Sequence, residues 1–312
     1  MTNPLIEMSQ VQIDRLIGAL DSLRDGDLAV DMLIACGACA IPSLTLYLLK
    51  GPPRTVPLPR CRAARALGGL EAQSALLSYF QDYERPQNAA VLFAEDSVRS
   101  VVARELLRWK YEEVFRVLLD ATKQRATEGL VEALGEFRRP ESIPLMFELL
   151  GDDLCRAQAM KSLLMIPNAT RQFGLLAIRG VIDAKRDLPS ALVRRRAILQ
   201  LLANLGVSPA DWEDLYGILR ENDAATVLAV AQIGFQVAPE SSYLRIVTAL
   251  LRVADTLNWV QESDVLQLLD QHFVIARDVA LQLRDAERGQ RPQWVSARWR
   301  ILRHILGREQ ME

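Results

Sequence analysis

A two-helix pattern of small and apolar residues repeats from about residue 27 to residue 255, and this repetition restricts the fold more than any single motif. Leu67-Gly68, Leu106-Leu107, Leu134-Gly135, Leu163-Leu164, Leu205-Gly206 and Ile233-Gly234 each close a helix, and a leucine-rich second helix follows within a few residues. The closures recur at intervals of roughly 28 to 42 residues, the span of stacked helical hairpins. A single hairpin leaves its apolar face in water, so each must be covered by the next.

The units can be followed along the chain. Residues 5–24 carry Ile13, Leu16, Ile17, Leu20 and Leu23 at helical spacing. A helix over 27–36 is broken by Gly37, and Pro42 opens its partner through Lys50, at a position whose N–H needs no acceptor. Further pairs are predicted at 62–69 with 72–81, 97–109 with 112–122, and 129–135 with 140–150. In the third unit Ser97 is the expected N-cap. The fifth unit runs 156–165, turns at Pro167-Asn168 and continues to about Asp183. The sixth spans 191–205, with Ser208-Pro209-Ala210-Asp211 opening its second helix, and the seventh pairs 225–235 with 239–255.

Strand signals are nearly absent, and the sequence predicts an all-α fold. Four prolines within 51–60 predict a loop, and 82–97 is expected to be a second inter-repeat loop. After Asp255 the repeat decays, which predicts a repeat domain over 1–259 and a helical C-terminal cap over 260–312. The cap is expected to hold one long helix over 262–287 and another over 293–308.

The 312 residues carry a formal charge of −2, so nothing global draws the protein to nucleic acid or an anionic membrane. Arginine outnumbers lysine 32 to 5. Four cysteines do not suggest a disulfide scaffold, the start of the chain lacks the build of a secretory signal, and no uninterrupted apolar run reaches bilayer length. The expectation is a soluble, cytoplasmic protein without a transmembrane segment.

The residues at Gly37-Ala38-Cys39-Ala40-Ile41-Pro42-Ser43-Leu44, at Val98-Arg99 through Leu106, and from Ala133-Leu134-Gly135 to Ser142-Ile143-Pro144-Leu145 resemble HEAT repeats. The resemblance is closer to the short HEAT-like variety of phycobilin-lyase-type proteins. It covers roughly 27–255, is good in the first, second and fourth units, and degenerates from the sixth onward. It implies a right-handed α-solenoid of about seven HEAT-like hairpins whose second helices line the concave face. It implies no chemistry, because the repeat residues are packing residues.

Candidate chemistry is correspondingly thin. Cys36-Gly37-Ala38-Cys39 spells C-x-x-C, but a structural zinc needs four ligands, and His272 and His304 lie far along the chain. Both cysteines are expected to fill small-residue positions. Neither Glu132/Glu136 nor Asp211/Glu213/Asp214 makes a distinctive acid–base pair, and there is no P-loop or dinucleotide fingerprint. No catalytic residue, metal ligand or cofactor is assigned. Arg62, Arg99, Arg156 and Arg194 recur near first-helix starts, with Asp82, Asp96, Asp152 and Asp153 upstream; an Asp–Arg ladder between repeats is favoured over an anion track. Arg194-Arg195-Arg196 is expected to be solvated.

Three readings compete. The leading one is a non-enzymatic scaffold that binds another protein through its concave face or edge loops, with Glu112, Arg116, Arg171, Arg179, Arg245 and Arg252 as groove residues. The second is nucleic-acid binding by the C-terminal segment, where Arg284, Arg288, Arg291, Arg298, Arg300, Arg303 and Arg308 accompany Trp294 and Trp299 against only Asp285 and Glu287. Within it Arg291, Trp294, Arg298, Arg300 and Arg303 are the candidate contacts, and a cap with Val295, Trp299, Leu302 and Leu306 on its packed stripe is the preferred alternative. The third, by fold analogy alone, is a lyase or chaperone for a tetrapyrrole-type group.

Overall fold

The computed structural model describes residues 9–52, 54–81, 83, 85–180, 189–286 and 296–307, with the side chains of 189 and 283–286 left aside. The described residues form helices and short connections without a strand, so the fold is all-α. By their internal contacts they divide into two units, residues 1–166 and 167–312. That division differs from the one expected at 259/260.

The first unit comprises α1 (Gln10–Ala19), α2 (Gly26–Cys36), α3 (Ile41–Lys50), α4 (Leu58–Gly69), α5 (Gln73–Gln81), α6 (Ala89–Leu106), α7 (Glu112–Gln124), α8 (Glu128–Phe137), α9 (Ile143–Leu149) and α10 (Arg156–Leu164). Helices α2, α4, α6, α8 and α10 pack against one another in succession, and α1, α3, α5 and α7 form a second row. Small residues permit the first row: Ala63, Ala66, Ala103, Ala133 and Ala159 are fully buried among Leu33, Leu67, Val102, Leu134 and Leu163. At Gly129 backbone meets backbone, and a Cβ there would lie 2.5 Å from the Ser100 carbonyl oxygen.

Residues 26–50 are, among the described residues, the one helical stretch long and apolar enough to cross a membrane. Gly37, at φ +74°, breaks it between α2 and α3. Helix α1 ends at Ala19, so Leu23, expected on its apolar face, is 86% exposed.

Both expected loops are shorter than the sequence suggests. Pro59 falls in the first turn of α4, where proline costs no hydrogen bond, and the helix therefore starts at Leu58. Helix α6 starts at Ala89, because the Asn88 side chain accepts from the N–H groups of Ala90 and Val91. Ser97 therefore lies inside α6 and is no N-cap.

The second unit comprises α11 (Pro167–Ile178), α12 (Pro189–Leu205), α13 (Trp212–Tyr216), α14 (Ala224–Val237), α15 (Tyr243–Val253), α16 (Trp259–Gln271), α17 (Phe273–Ala286) and α18 (Ala297–Gly307). Pro167 opens a helix where a turn was expected, and Asp183 lies outside the described residues. Helices α12, α14 and α16 pack in succession, while α13 and the 3-10 turn 217–220 lie against α14 and α15. The long helix expected over 262–287 is broken at His272, between α16 and α17. There the imidazole stacks on Phe235 (centroids 3.8 Å apart, planes at 11°) and meets Tyr243 edge-on. A tertiary contact overrides an unbroken helical pattern.

Candidate partner-binding site

The six expected groove residues are divided between the two units. Glu112 and Arg116 belong to the first unit, where the Glu112 carboxylate accepts from Arg139 and, at 2.6 Å, from Arg116. The Arg139 hydrogen bond holds this exposed carboxyl below the usual carboxylate range. The other four belong to the second unit. Arg171 donates to Asn168 Oδ1 at 2.9 Å, and Arg179 to Asp214 Oδ2 at 2.8 Å. Arg252 donates to the carbonyls of Leu219 (2.7 Å), Glu221 (2.7 Å) and Arg220 (3.1 Å) and to Asn222 Oδ1 (2.9 Å). It is a staple that closes the C-terminal end of the 217–220 turn.

Arg245 differs. Its guanidinium lies over the Tyr216 ring, 5.4 Å from the centroid, and among the described residues no carboxylate stands within ion-pair distance. The same holds for Arg220, which is exposed. Together with Arg252 these residues border a cleft of about 520 Å³ between α13, the 217–220 turn and α15, lined also by Leu219, Leu244, Thr248 and Ala249.

The amphipathic sequence of α15 explains the cleft. Ile246, Val247, Leu250 and Leu251 are buried on one face, which leaves Leu244, Arg245, Thr248 and Arg252 on the other. Leu244 is 48% exposed. Among the described residues the lining holds three arginines and no acidic residue. Neighbouring arginines in the unit are neutralised: Arg195 is bidentate to Glu221 (2.8 and 2.5 Å), and Arg196 pairs with Asp223. The basic triplet was expected to be solvated; the start of α14 instead captures two of its members.

No protein-family model matches the chain, and no curated protein matches it. The cleft is therefore read from its own chemistry.

At the C-terminus, Arg291, Trp294, Val295, Arg288 and Arg308 lie outside the described residues, as does the side chain of Arg284. In α18, Arg300 is bidentate to Glu262 (2.7 and 2.5 Å), and the backbone N–H of Arg298 donates to Asp255 at 3.0 Å. Arg303 is exposed and Trp299 half-buried. Ala297, Ile301, Leu302 and Ile305 are buried, so the packed stripe differs from the expected one in leaving Trp299 and Leu306 half-exposed.

Asp–Arg pairs between hairpins do occur, with shifted partners. Arg62 donates to Asp27 at 3.0 Å and to the carbonyls of Leu20 and Ser22. Asp96 pairs with Arg125 at 2.5 Å, and not with Arg99. Asp152 instead orders the turn before α10 by accepting from the N–H groups of Leu154 and Cys155, and Asp153 pairs locally with Arg156. Asp82 lies outside the described residues. In the C-x-x-C segment each thiol donates to a carbonyl, Cys36 to Met32 and Cys39 to Cys36. Burial pushes the thiols of Cys61 and Cys155 up to about 11.

One buried cluster escaped the sequence reading. Arg60, Tyr79 and Glu95 meet in the first unit, with Arg60 and Glu95 each 2% exposed. Its signal was a carboxylate on the apolar stripe of α6, one residue after Ala94 and three before Val98.

Proposed function

We propose that this protein is a non-enzymatic binding module, an α-solenoid of HEAT-like hairpins whose second-helix face holds an acidic segment of a protein partner. The successive packing of first helices within each unit supports the solenoid reading, since stacked hairpins require contacts between every second helix. The observation that carries the binding reading is the pair Arg220 and Arg245, without carboxylate partners beside an exposed Leu244. Carboxylates of a partner would meet guanidinium forks, and one apolar side chain would cover Leu244 and Ala249.

Nucleic acid has less support, because Glu262 already occupies Arg300. No observation favours handling of a tetrapyrrole.

The test is a photo-crosslinker at the exposed Thr248 in the native cells. The reading expects a protein adduct at an acidic segment that Arg245→Glu abolishes. Adducts with nucleic acid or basic segments, or adducts indifferent to Arg245→Glu, would contradict it.

A further inference from the structure

A second cavity, independent of the cleft above, lies in the first unit between α3, α4, α5 and α6, beside the proline-rich loop. Its volume is about 470 Å³, the size of a small-molecule site. We propose that it binds a small molecule carrying a phosphate or carboxylate group.

The floor is rigid and satisfied. Arg60 holds Glu95 with two hydrogen bonds of 2.6 and 2.9 Å and donates to the Leu48 carbonyl at 2.7 Å. The Tyr79 hydroxyl donates to Glu95 at 2.5 Å. The loop is anchored as well, because the Tyr47 hydroxyl donates to the Pro52 carbonyl at 3.0 Å.

The walls are less fully engaged, Arg54 making only a long ion pair with Glu95. Lys50 and Arg54 line the cavity, with Arg54 47% exposed and 3.6 Å from Glu95. Among the described residues of the lining, Glu95 is the one acidic group, set against Lys50, Arg54 and Arg60. Tyr83 also lines it, and its hydroxyl, shielded from solvent, has no hydrogen-bond partner.

A further cation stands behind Tyr83. The Arg99 guanidinium lies 4.0 Å from the Tyr83 ring centroid with a side chain 0% exposed. It donates only to the carbonyls of Ala121 (2.8 Å) and Arg125 (3.4 Å), and its Nε and Nη1 have no partner. Its acidic neighbours, Asp96 and Glu95, act on it by charge without a hydrogen bond, and burying a charge so incompletely compensated is costly. An anion in the cavity would add negative charge near Arg99, accept from the Tyr83 hydroxyl, and be held at the mouth by Lys50 and Arg54.

The experiment is calorimetric titration of the full chain at low salt with inorganic phosphate, phenyl phosphate and benzoate, with benzyl alcohol as the neutral probe. At least one anion is expected to bind with Kd of about 1 mM or tighter. Lys50→Ala/Arg54→Ala should weaken it roughly tenfold or more, and Tyr83→Phe severalfold. All three positions lie at the cavity mouth or wall, so thermal melts should stay close to wild type, and Arg15→Ala/Arg24→Ala on the exposed N-terminal surface should bind as wild type. The proposal is overturned if no anion binds at about 10 mM. It is equally overturned if benzyl alcohol binds as well as the anions, or if the surface variant loses binding as the cavity variants do.

Discussion

Arg60 and Glu95, 35 residues apart, form a two-pronged ion pair in which both side chains are 2% exposed. The pair ties α4 to α6. Glu95→Ala would strand a buried guanidinium and should cost about 3–5 kcal/mol, whereas Arg60→Met/Glu95→Leu should cost much less. Urea unfolding of the two variants checks this.

The same pair sets an acid limit. Burial pushes the Glu95 carboxyl up, but hydrogen bonds from Arg60 and Tyr79 outweigh it and leave the group below the ordinary carboxylate range. Because its folded value is depressed, its stabilisation is complete above the unfolded value of about 4.3 and fades as pH falls through the folded one. Glu95→Gln should flatten that acid limb in melts recorded below about pH 5.

His272 gives the corresponding prediction in the second unit. Burial lowers its imidazole below the ordinary histidine value, so the neutral ring is favoured against Phe235. Stability from this group is present above about pH 6.5 and declines as the ring is driven to protonate below it. His272→Phe should show a shallower loss of stability between about pH 7 and pH 5 than the wild type.

Gly129 tests the close approach of first helices. A methyl there would strike the Ser100 backbone, which cannot rotate away. Gly129→Ala should destabilise by about 1–3 kcal/mol despite its better helix propensity, as read by chemical denaturation.

The two arginines of α15 separate structure from binding. Arg252→Ala abandons three carbonyls and an amide oxygen and should cost about 1–3 kcal/mol. Arg245→Ala should change stability by less than about 0.5 kcal/mol yet weaken the partner roughly tenfold or more. Melts and binding titrations of the two variants should thus move in opposite order.

Helix pairing was legible in the sequence because small residues and leucines recur where first helices touch, as at Ala63, Ala103 and Ala133. The boundaries that failed did so for identifiable reasons. The polar stretch before Ser97 reads as a loop until Asn88 is recognised as the cap of α6. The helical pattern runs unbroken through His272, and only its stack on Phe235, 37 residues earlier in the chain, interrupts it. The sequence offered Arg245 and Arg252 alike as groove residues, and both lie exposed on α15. It could not tell which was already engaged, because the acceptors of Arg252 lie 30 to 33 residues away.

The Arg220–Arg245 cleft is proposed to select acidic protein segments. Selection of a random peptide display library on the immobilised protein, counter-selected on Arg245→Glu, tests it most directly. Enriched peptides are expected to pair Asp or Glu with one leucine or aromatic residue and to fail to bind the variant. Enrichment of basic or uncharged peptides, or binding that survives Arg245→Glu, would contradict it.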